Sequence, residues 1–416
     1  MNETELPGIR KAIEALPREQ RRALLEWLIE SERGVAVAEP APPAIRKPKP
    51  VRRPAAPATL RQAVLWSIAS IAVFFLLDAA IFRSGWYLRY LAPDSTTGQL
   101  ELNVFWLRHT LPGKAPEAAV IGDSRVAEGF SARNADAGAG DRIHFWNLGV
   151  PGSSPRDWYY LLRDGDPDHR RFTALAIAMD RYSDEDGGEN PSNRMSDLSY
   201  SVGRLRWSDC PDFAESYDAP ELRRTVLTGC LFRGVTLRRD VQDFFAHPLA
   251  RFRAAKAWRN DGKGYIDGYG GKPEDLTGLS VDFGTGAVNF PPGLKDWQKN
   301  SVNGFASSAK VPQTGALTAY RKLWLGRILD LYKDSPTRII FLELPGGPLP
   351  PPRRETPARF IESVWRRPRV TVLPGETFRD LERPEFYADG LHLNHAGRPI
   401  FSERLGAKMA EIAGSR

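Results

Sequence analysis

Three residues have the types and the order that acyl transfer requires: Ser124, Asp389 and His392. Ser124 closes the run Ile121-Gly122-Asp123-Ser124, directly after a short apolar stretch and before a segment expected to be helical. A hydroxyl at the carboxyl edge of an open α/β sheet points outward, beside helix-end N–H groups that stabilise developing negative charge. Asp389 stands three residues ahead of His392 in Asp389-Gly390-Leu391-His392. In a tight loop that spacing lets the carboxylate accept from one ring nitrogen while the other faces a nucleophile as general base. Neither Gly-Asp-Ser nor Asp-x-x-His is specific alone. Together, at the two ends of one α/β region, they point to a nucleophile, a base and an orienting acid.

The elements that must position them follow from apolar patterning. Strands are expected over residues 118–121, 143–148, 173–179, 338–342 and 369–373. The third reads TALAIAM, nearly continuous, as in a parallel strand covered on both faces. Ser154-Pro155 opens a helix running to about Arg163, with serine as N-cap and proline in the first turn. Helices over 317–332 and 396–412 alternate with the later strands, and Asn394 is the expected N-cap of the last. This alternation predicts an α/β fold with a doubly wound parallel sheet. Pro345-Gly346-Gly347-Pro348 falls on the same sheet edge, as a cleft wall or a rigid loop.

Between about 183 and 316 the alternation dissolves into Trp, Gly, Asp and Arg, with helical pieces near 220–227 and 241–257. So long a loop is anomalous in a compact domain, so the stretch reads as a large insertion, either an inserted subdomain or a lid. Its aromatic and arginine side chains suit sugar stacking or ordinary packing. It holds both cysteines, Cys210 and Cys230. Paired, they would close a loop of about twenty residues, worth roughly 3 kcal/mol in the chain-entropy model; the alternative is two separate buried thiols. Two cysteines exclude a disulfide scaffold or a Cys-rich zinc module. His392 and His395 are spaced to share a metal, but no third ligand cluster accompanies them, so no metal and no cofactor is expected. His144 lies in an apolar strand and reads as a core residue.

Residues 63–82 form a 20-residue apolar run, enough for roughly 30 Å of hydrocarbon. Asp78 lies near its far end, where a carboxyl costs less than at the midplane. A buried core helix is the competing reading. Arg46, Lys47, Lys49, Arg52, Arg53 and Arg61 precede the run, whereas only Arg83 and Arg89 follow closely. That bias predicts one transmembrane helix over 62–83, with the N-terminus cytoplasmic and the larger part outside the inner membrane. Trp86, Tyr87 and Tyr90 suit the outer interfacial belt. Residues 1–61 carry +4 of the chain's net +7, and no polybasic block follows them, which argues for a membrane rather than a nucleic acid. Residues 1–34 read as a small helical segment, for partner docking or solubility, and 35–61 as a Pro-rich basic linker. The remainder, 92–416, is expected to be the outer domain.

The chain resembles the SGNH, or GDSL-type, hydrolases through Ile121-Gly122-Asp123-Ser124, Asn147-Leu148-Gly149-Val150-Pro151-Gly152 and Asp389-Gly390-Leu391-His392-Leu393-Asn394, in family order. The resemblance covers about 116–182 and 317–412. It implies a flavodoxin-like α/β/α sandwich and a Ser-His-Asp triad with Ser124 as nucleophile, His392 as base and Asp389 as orienting acid. The backbone of Ser124 and Gly152 would form the oxyanion hole, and Asp123 would shape the turn. Arg125 replaces the usual leucine. Met179-Asp180-Arg181-Tyr182 lacks the asparagine of the family's third block, for which Asn190 and Asn193 are the nearby substitutes. The single-span layout is similar to membrane-tethered SGNH-like proteins that accompany O-acylation of cell-surface polymers, such as the alginate acetylation and teichoic-acid alanylation proteins. It implies an esterase or O-acyltransferase acting on O-acyl, most simply O-acetyl, groups of an envelope polysaccharide beside a multispanning O-acyltransferase. A non-catalytic scaffold in such a complex is the competing reading.

Overall fold

The computed structural model describes residues 59–179, 191–261, 271–308, 319–350 and 366–414. The expected N-terminal helical segment, the expected Pro-rich linker up to residue 58, Asn190 and Asp180-Arg181-Tyr182 lie outside the described residues; residues 60 and 61 of that linker are helical.

Alternation along the first strand sets the architecture. In β1 (Glu117–Gly122), Ala118 and Val120 face one side, and Ala119 and Ile121 face the other; all four are fully buried. A strand apolar on both faces needs cover on both. The other strands in chain order are β2 (His144–Gly149), β3 (Phe172–Met179), a short antiparallel hairpin of β4 (Ser280–Val281) and β5 (Val288–Asn289), β6 (Arg338–Glu343) and β7 (Val370–Val372). The main sheet is entirely parallel, in the order β2-β1-β3-β6-β7. Strand order reverses direction between β2-β1 and β3-β6-β7, so the crevice at the carboxyl ends of β1 and β3 is the switch point where ligands bind in such sheets.

Fourteen helices of α type are described. They are α1 (Leu60–Asp78), α2 (Thr96–His109), α3 (Ser124–Gly129), α4 (Ala132–Gly138), α5 (Pro155–Gly165), α6 (Ser196–Ser201) and α7 (Asp209–Glu215). Then follow α8 (Pro220–Leu231), α9 (Arg233–Thr236), α10 (Arg238–Ala246), α11 (Pro248–Asp261), α12 (Asp296–Ser308), α13 (Ala319–Leu331) and α14 (Gly397–Gly414). Helices α4 and α14 cover one sheet face, through Ala135, Phe401, Leu405 and Met409. Helices α2, α5 and α13 cover the other, through Leu100, Val104, Leu161, Leu325 and Ile328. The sequence reading missed α2, although Ser95 caps it and Leu100, Val104 and Leu107 recur at helical spacing; buried Glu101 and Asn103 break the stripe.

The stretch after β3 builds a unit of its own rather than a bare loop. Its described part is mainly helical and builds a third core around Phe213, Tyr217, Val226, Cys210 and Cys230. The two cysteines are bonded to each other, tying α7 to α8. The expected helix at 241–257 is two helices, broken at His247-Pro248, because proline cannot continue the preceding turn. Phe82, Tyr87 and Leu91 are buried in the same third core, so a boundary at residue 92 cuts through packed side chains.

Together with the wider turn Ala79–Arg83, α1 is 24 residues long, and is long and apolar enough to cross a membrane; only 6% of its most apolar window is buried, whereas a core helix is mostly buried. Asp78 is buried at its end, where its carboxylate accepts from the Gly234 N–H at 2.7 Å and the Arg233 N–H at 3.0 Å. Two backbone donors at the start of α9 thus satisfy the one acid in the run. His144 is not a core residue: its side chain is half-exposed, with Nδ1 2.9 Å from Asp136. It is the first residue of β2, an edge strand, on the same face as buried Trp146 and Leu148 but beyond their cover.

The disulfide closes a 20-residue separation within the third core. Replacing both cysteines with serine should lower stability by roughly 3 kcal/mol in the chain-entropy model. Equilibrium unfolding with urea, oxidised against double variant, measures this; equal midpoints would show that the core, not the cross-link, holds α7 to α8.

Candidate active site

The register of β1 against β2 brings the first loops together. Gly122 pairs with Gly149 at the ends of β1 and β2. The carbonyl of Gly122 then accepts the Val150 N–H at 2.9 Å, so the loops leave the sheet joined. Asp123 caps α3, accepting the Arg125 N–H at 2.9 Å, and its carboxylate also holds the Arg125 guanidinium at 2.7 Å. Burial would raise the Asp123 pKa, but Arg125 outweighs it and holds the carboxyl below its ordinary value. Arg125 therefore locks the turn. Ser124 stands next, at the first residue of α3, partly exposed.

Asn147 fixes the far end of α3. Its buried amide donates to the carbonyls of Val126, Ala127 and Phe130 at 3.1, 3.2 and 2.9 Å, while its oxygen accepts the Gly149 N–H at 2.9 Å. One side chain thus satisfies the terminal carbonyls of a six-residue helix that is too short to stand alone.

Asp389 and His392 lie in a loop closed by the bridge between Tyr387 and Leu393 and by the Ala388 N–H to His392 carbonyl bond at 2.9 Å. His392 Nδ1 is 2.9 and 3.0 Å from the two Asp389 oxygens, and Nε2 is 2.9 Å from Ser124 Oγ. The structure therefore brings Ser124, His392 and Asp389 into one hydrogen-bonded chain, although 268 residues separate its ends. Asp389 Oδ1 also accepts the N–H groups of Leu391 and His392 at 2.8 and 2.9 Å. Burial alone would raise its pKa; the bond from His392, that ring's charge and the two N–H groups outweigh burial and hold it at about 2. An ionised carboxylate only accepts, so the shared ring proton sits on Nδ1. Nε2 is left with its lone pair toward the serine hydroxyl, the arrangement a general base needs.

Gly152 lies in the loop between β2 and α5, with φ +72; an added Cβ would come 2.6 Å from Tyr200 Oη. Only glycine fits that left-handed position without strain. Among the described residues the backbone N–H groups of Ser124 and Gly152 donate to nothing. They are the free donors that an oxyanion would use. Tyr200 Oη donates to the Pro151 carbonyl at 2.6 Å, and Arg194 to the Gly152 carbonyl at 2.7 Å. Behind the loop, Ser154 and Asp157 form a capping box on α5, and Asp197 accepts from Ser154 Oγ at 2.9 Å, Arg156 at 3.1 Å and Tyr320 Oη at 3.1 Å. Burial raises the pKa of Asp197 although Arg156 and Arg194 oppose it; burial and the charge of Asp197 raise Asp157 further.

The substitute oxyanion donor fares differently. The side-chain oxygen of Asn193 accepts the Asp218 and Ala219 N–H groups, both at 3.1 Å, and so braces the start of α8. Arg194, next to it, is the polar side chain that reaches the Gly152 loop. No residue pattern marks it, because one arginine in an arginine-rich stretch does not stand out.

The insertion also grips the other loop. Gln298 Nε2 donates to the Ala388 carbonyl at 2.8 Å, and the Gly390 N–H donates to Ser301 Oγ at 3.0 Å. A Cβ at Gly390 would lie 2.3 Å from the Ser301 carbonyl, so this contact needs glycine. Lys272 Nζ pairs with Glu128 at 2.7 Å and lies 3.7 Å from Asp389 Oδ2. The last helix starts as expected: Asn394 Oδ1 accepts from Ala396 and Gly397 at 2.9 and 3.0 Å. His395 is exposed, with Nδ1 3.2 Å from the Lys272 carbonyl. Among the described residues no cluster of three or more His, Cys, Asp or Glu side chains is placed to hold a metal ion.

Comparison with models of known families and with curated proteins finds no match to this chain.

The depressed Asp389 pKa makes a signed prediction. Its stabilisation, about 2 kcal/mol from a shift between 3.8 and about 2, is complete above the ordinary value and lost as pH falls toward about 2. The stability deficit of Asp389→Asn, measured by denaturant unfolding, should therefore shrink as pH is lowered from about 5 toward about 2. A deficit that stays constant would mean the carboxylate contributes nothing through its charge.

Proposed function

We propose that this chain is a serine esterase or O-acyltransferase of the SGNH type. The observation that carries the reading is the Ser124–His392–Asp389 chain, with 2.9 Å from Nε2 to the serine oxygen. The parallel order β2-β1-β3-β6-β7, with Ser124 just after the carboxyl end of β1, supports the flavodoxin-like form of the fold.

In this mechanism Ser124 Oγ attacks the ester carbonyl carbon while its proton passes to His392 Nε2. Asp389 stabilises the imidazolium and keeps its Nδ1 proton in place. The N–H groups of Ser124 and Gly152 hold the oxyanion. The ester C–O bond breaks, and the departing alcohol takes the proton from Nε2. Water or a sugar hydroxyl then attacks the acyl-serine, giving its proton to the same nitrogen, and Ser124 is restored with the acid or a new ester as product.

The substrate reading is an O-acyl, most simply O-acetyl, group on a cell-envelope polysaccharide, with a multispanning O-acyltransferase as partner. It draws on the single apolar helix joined to an SGNH-like domain. The inner membrane, an N-terminus inside and the catalytic domain outside complete the proposal. The Cys210–Cys230 disulfide supports an oxidising compartment. A reporter active only outside the cytosol should be active when fused after Arg416 and silent when fused at Pro57; the reverse would overturn this orientation.

Ser124→Ala and His392→Ala should each lower hydrolysis of a small acetyl ester by at least about a thousandfold, because the triad acts as a unit. A fluorophosphonate probe should label the wild type at Ser124 and leave Ser124→Ala unlabelled. A folded Ser124→Ala protein with undiminished hydrolysis would replace the catalyst with a scaffold.

A further inference from the structure

The segment that follows the apolar helix borders a second cleft, of about 280 Å³. Four guanidinium groups line it, from Arg89, Arg108, Arg204 and Arg259, against one carboxylate, Glu101. Glu101 is already committed: Arg204 grips both of its oxygens. Among the described residues, Arg89, Arg108 and Arg259 have no carboxylate partner. Arg259 donates to the Leu88 carbonyl at 3.4 Å and lies 5.0 Å from the Phe105 ring centre, and Arg108 donates to the Asp164 carbonyl. Burial, and then the positive charge of Arg89, hold Arg259 below the usual arginine range. Like charges facing one recess without a counter-ion are unfavourable, and a bound anion relieves them.

The same wall carries an apolar edge. Helices α10 and α11 pack on the residues just past the span through a chain of rings. Trp86 lies 5.4 Å from Tyr90, Tyr90 4.7 Å from Phe252, Phe252 5.5 Å from Phe244, and Phe244 5.7 Å from Phe245. At this edge Phe245 is 76% exposed, Leu249 71% and Trp86 51%. Exposed Arg238, Arg239, Arg253 and Lys256 lie on the same two helices. Exposed rings and leucine beside cations, one turn beyond a helix fit to cross a membrane, match an interfacial surface that inserts apolar side chains and pairs its cations with headgroups.

We propose that this cleft, with the α10–α11 edge beside it, binds the phosphate-bearing headgroup of an anionic phospholipid. Arginine suits the site because its planar fork meets two phosphate oxygens at once. The occupant is a lipid rather than a soluble anion because the chain enters the cleft directly from the apolar helix and brings its exposed aromatic edge with it. The inference rests on the membrane part of the proposed function and not on the esterase chemistry.

Native mass spectrometry of the full chain in non-ionic detergent, titrated with phosphatidylglycerol or phosphatidylcholine, tests it. Phosphatidylglycerol should bind at least about tenfold more tightly. Arg89→Gln/Arg259→Gln should remove that preference while ester hydrolysis stays unchanged. If the double variant does not fold, Arg89→Gln alone serves, since that side chain is exposed and bonds to nothing among the described residues. Equal binding of the two lipids, or a preference untouched by either variant, would overturn the proposal. Displacement of the lipid by millimolar inorganic phosphate, or by an acidic oligosaccharide, would assign the cleft to a soluble anion instead. Resistance of the full chain to alkaline extraction from membranes separates the failures. A chain that stays in the membrane without lipid preference sinks the cleft alone; a chain washed free sinks the membrane reading with it.

Discussion

One constraint organises the molecule: a carboxylate, Asp389, must stay charged while nearly buried at a sheet edge. Its side chain is only 4% exposed, and an isolated carboxyl in that position would take up a proton. It remains ionised because four nearby groups serve it: the N–H groups of Leu391 and His392, the His392 ring and, at 3.7 Å, the Lys272 ammonium. Three of these donors come from its own turn, so the turn that makes the charge tolerable also fixes the imidazole. The tautomer, and with it the direction in which Ser124 can lose its proton, follows from keeping one acid ionised.

Such a turn is exposed to distortion, and the insertion after β3 suppresses it. Gln298 and Ser301 of α12 hold the backbone of the Asp389 loop from one side. On the other side of the site, Asp197 of α6 binds the Ser154 hydroxyl and the Arg156 guanidinium, holding the start of α5 beneath Gly152. Both loops that carry the machinery are thus pinned by the same insertion through buried hydrogen bonds. Arg156 and Asp197 are fully buried, where loss of either partner leaves an uncompensated charge, at about 3–5 kcal/mol. The insertion acts less as a cover over the sheet than as a brace behind it.

The sheet and the Asp389–His392 pairing were legible because each follows a short-range rule. TALAIAM can only be a strand covered twice, and Asp-x-x-His fixes its own geometry within one turn. What was not legible depends on contacts between distant segments. Asn147 looks like one polar residue in a strand, and its service to three carbonyls of α3 exists only once β1 and β2 are paired. Asn193 was expected to substitute for a missing oxyanion donor, but its oxygen holds the start of α8, and it is the arginine beside it that reaches the Gly152 loop. His144 was misread because its apolar neighbours suggested burial, whereas it opens an edge strand and meets Asp136. The insertion's helices were blurred because their apolar residues serve a separate small core built of rings, a disulfide and arginines, not a face of the main sheet.

That small core also decides how the apolar helix is joined to the rest. A flexible tether would leave Asp78 to water or lipid; here its carboxylate takes two backbone N–H groups from the start of α9, and the Phe75 ring packs, tilted, 4.7 Å from that of Trp207. Arg83 lies over the same indole at 3.5 Å and donates to the Leu205 carbonyl at 3.1 Å and to that of Cys230. The bonded Cys230 backbone therefore receives the last cation of the span, and the cross-link stiffens the helices that receive it. Asp78, costly inside an apolar run, is explained by this junction: it is the acceptor that lets α9 dock. On the proposed reading, with α1 in a membrane, the catalytic domain is fastened to the end of the span through α9 and the disulfide rather than hung from a loop. The span's end, the third core and α6 with its hold on the Ser154 loop then form one continuous packed path, so the membrane fixes where the nucleophile can work.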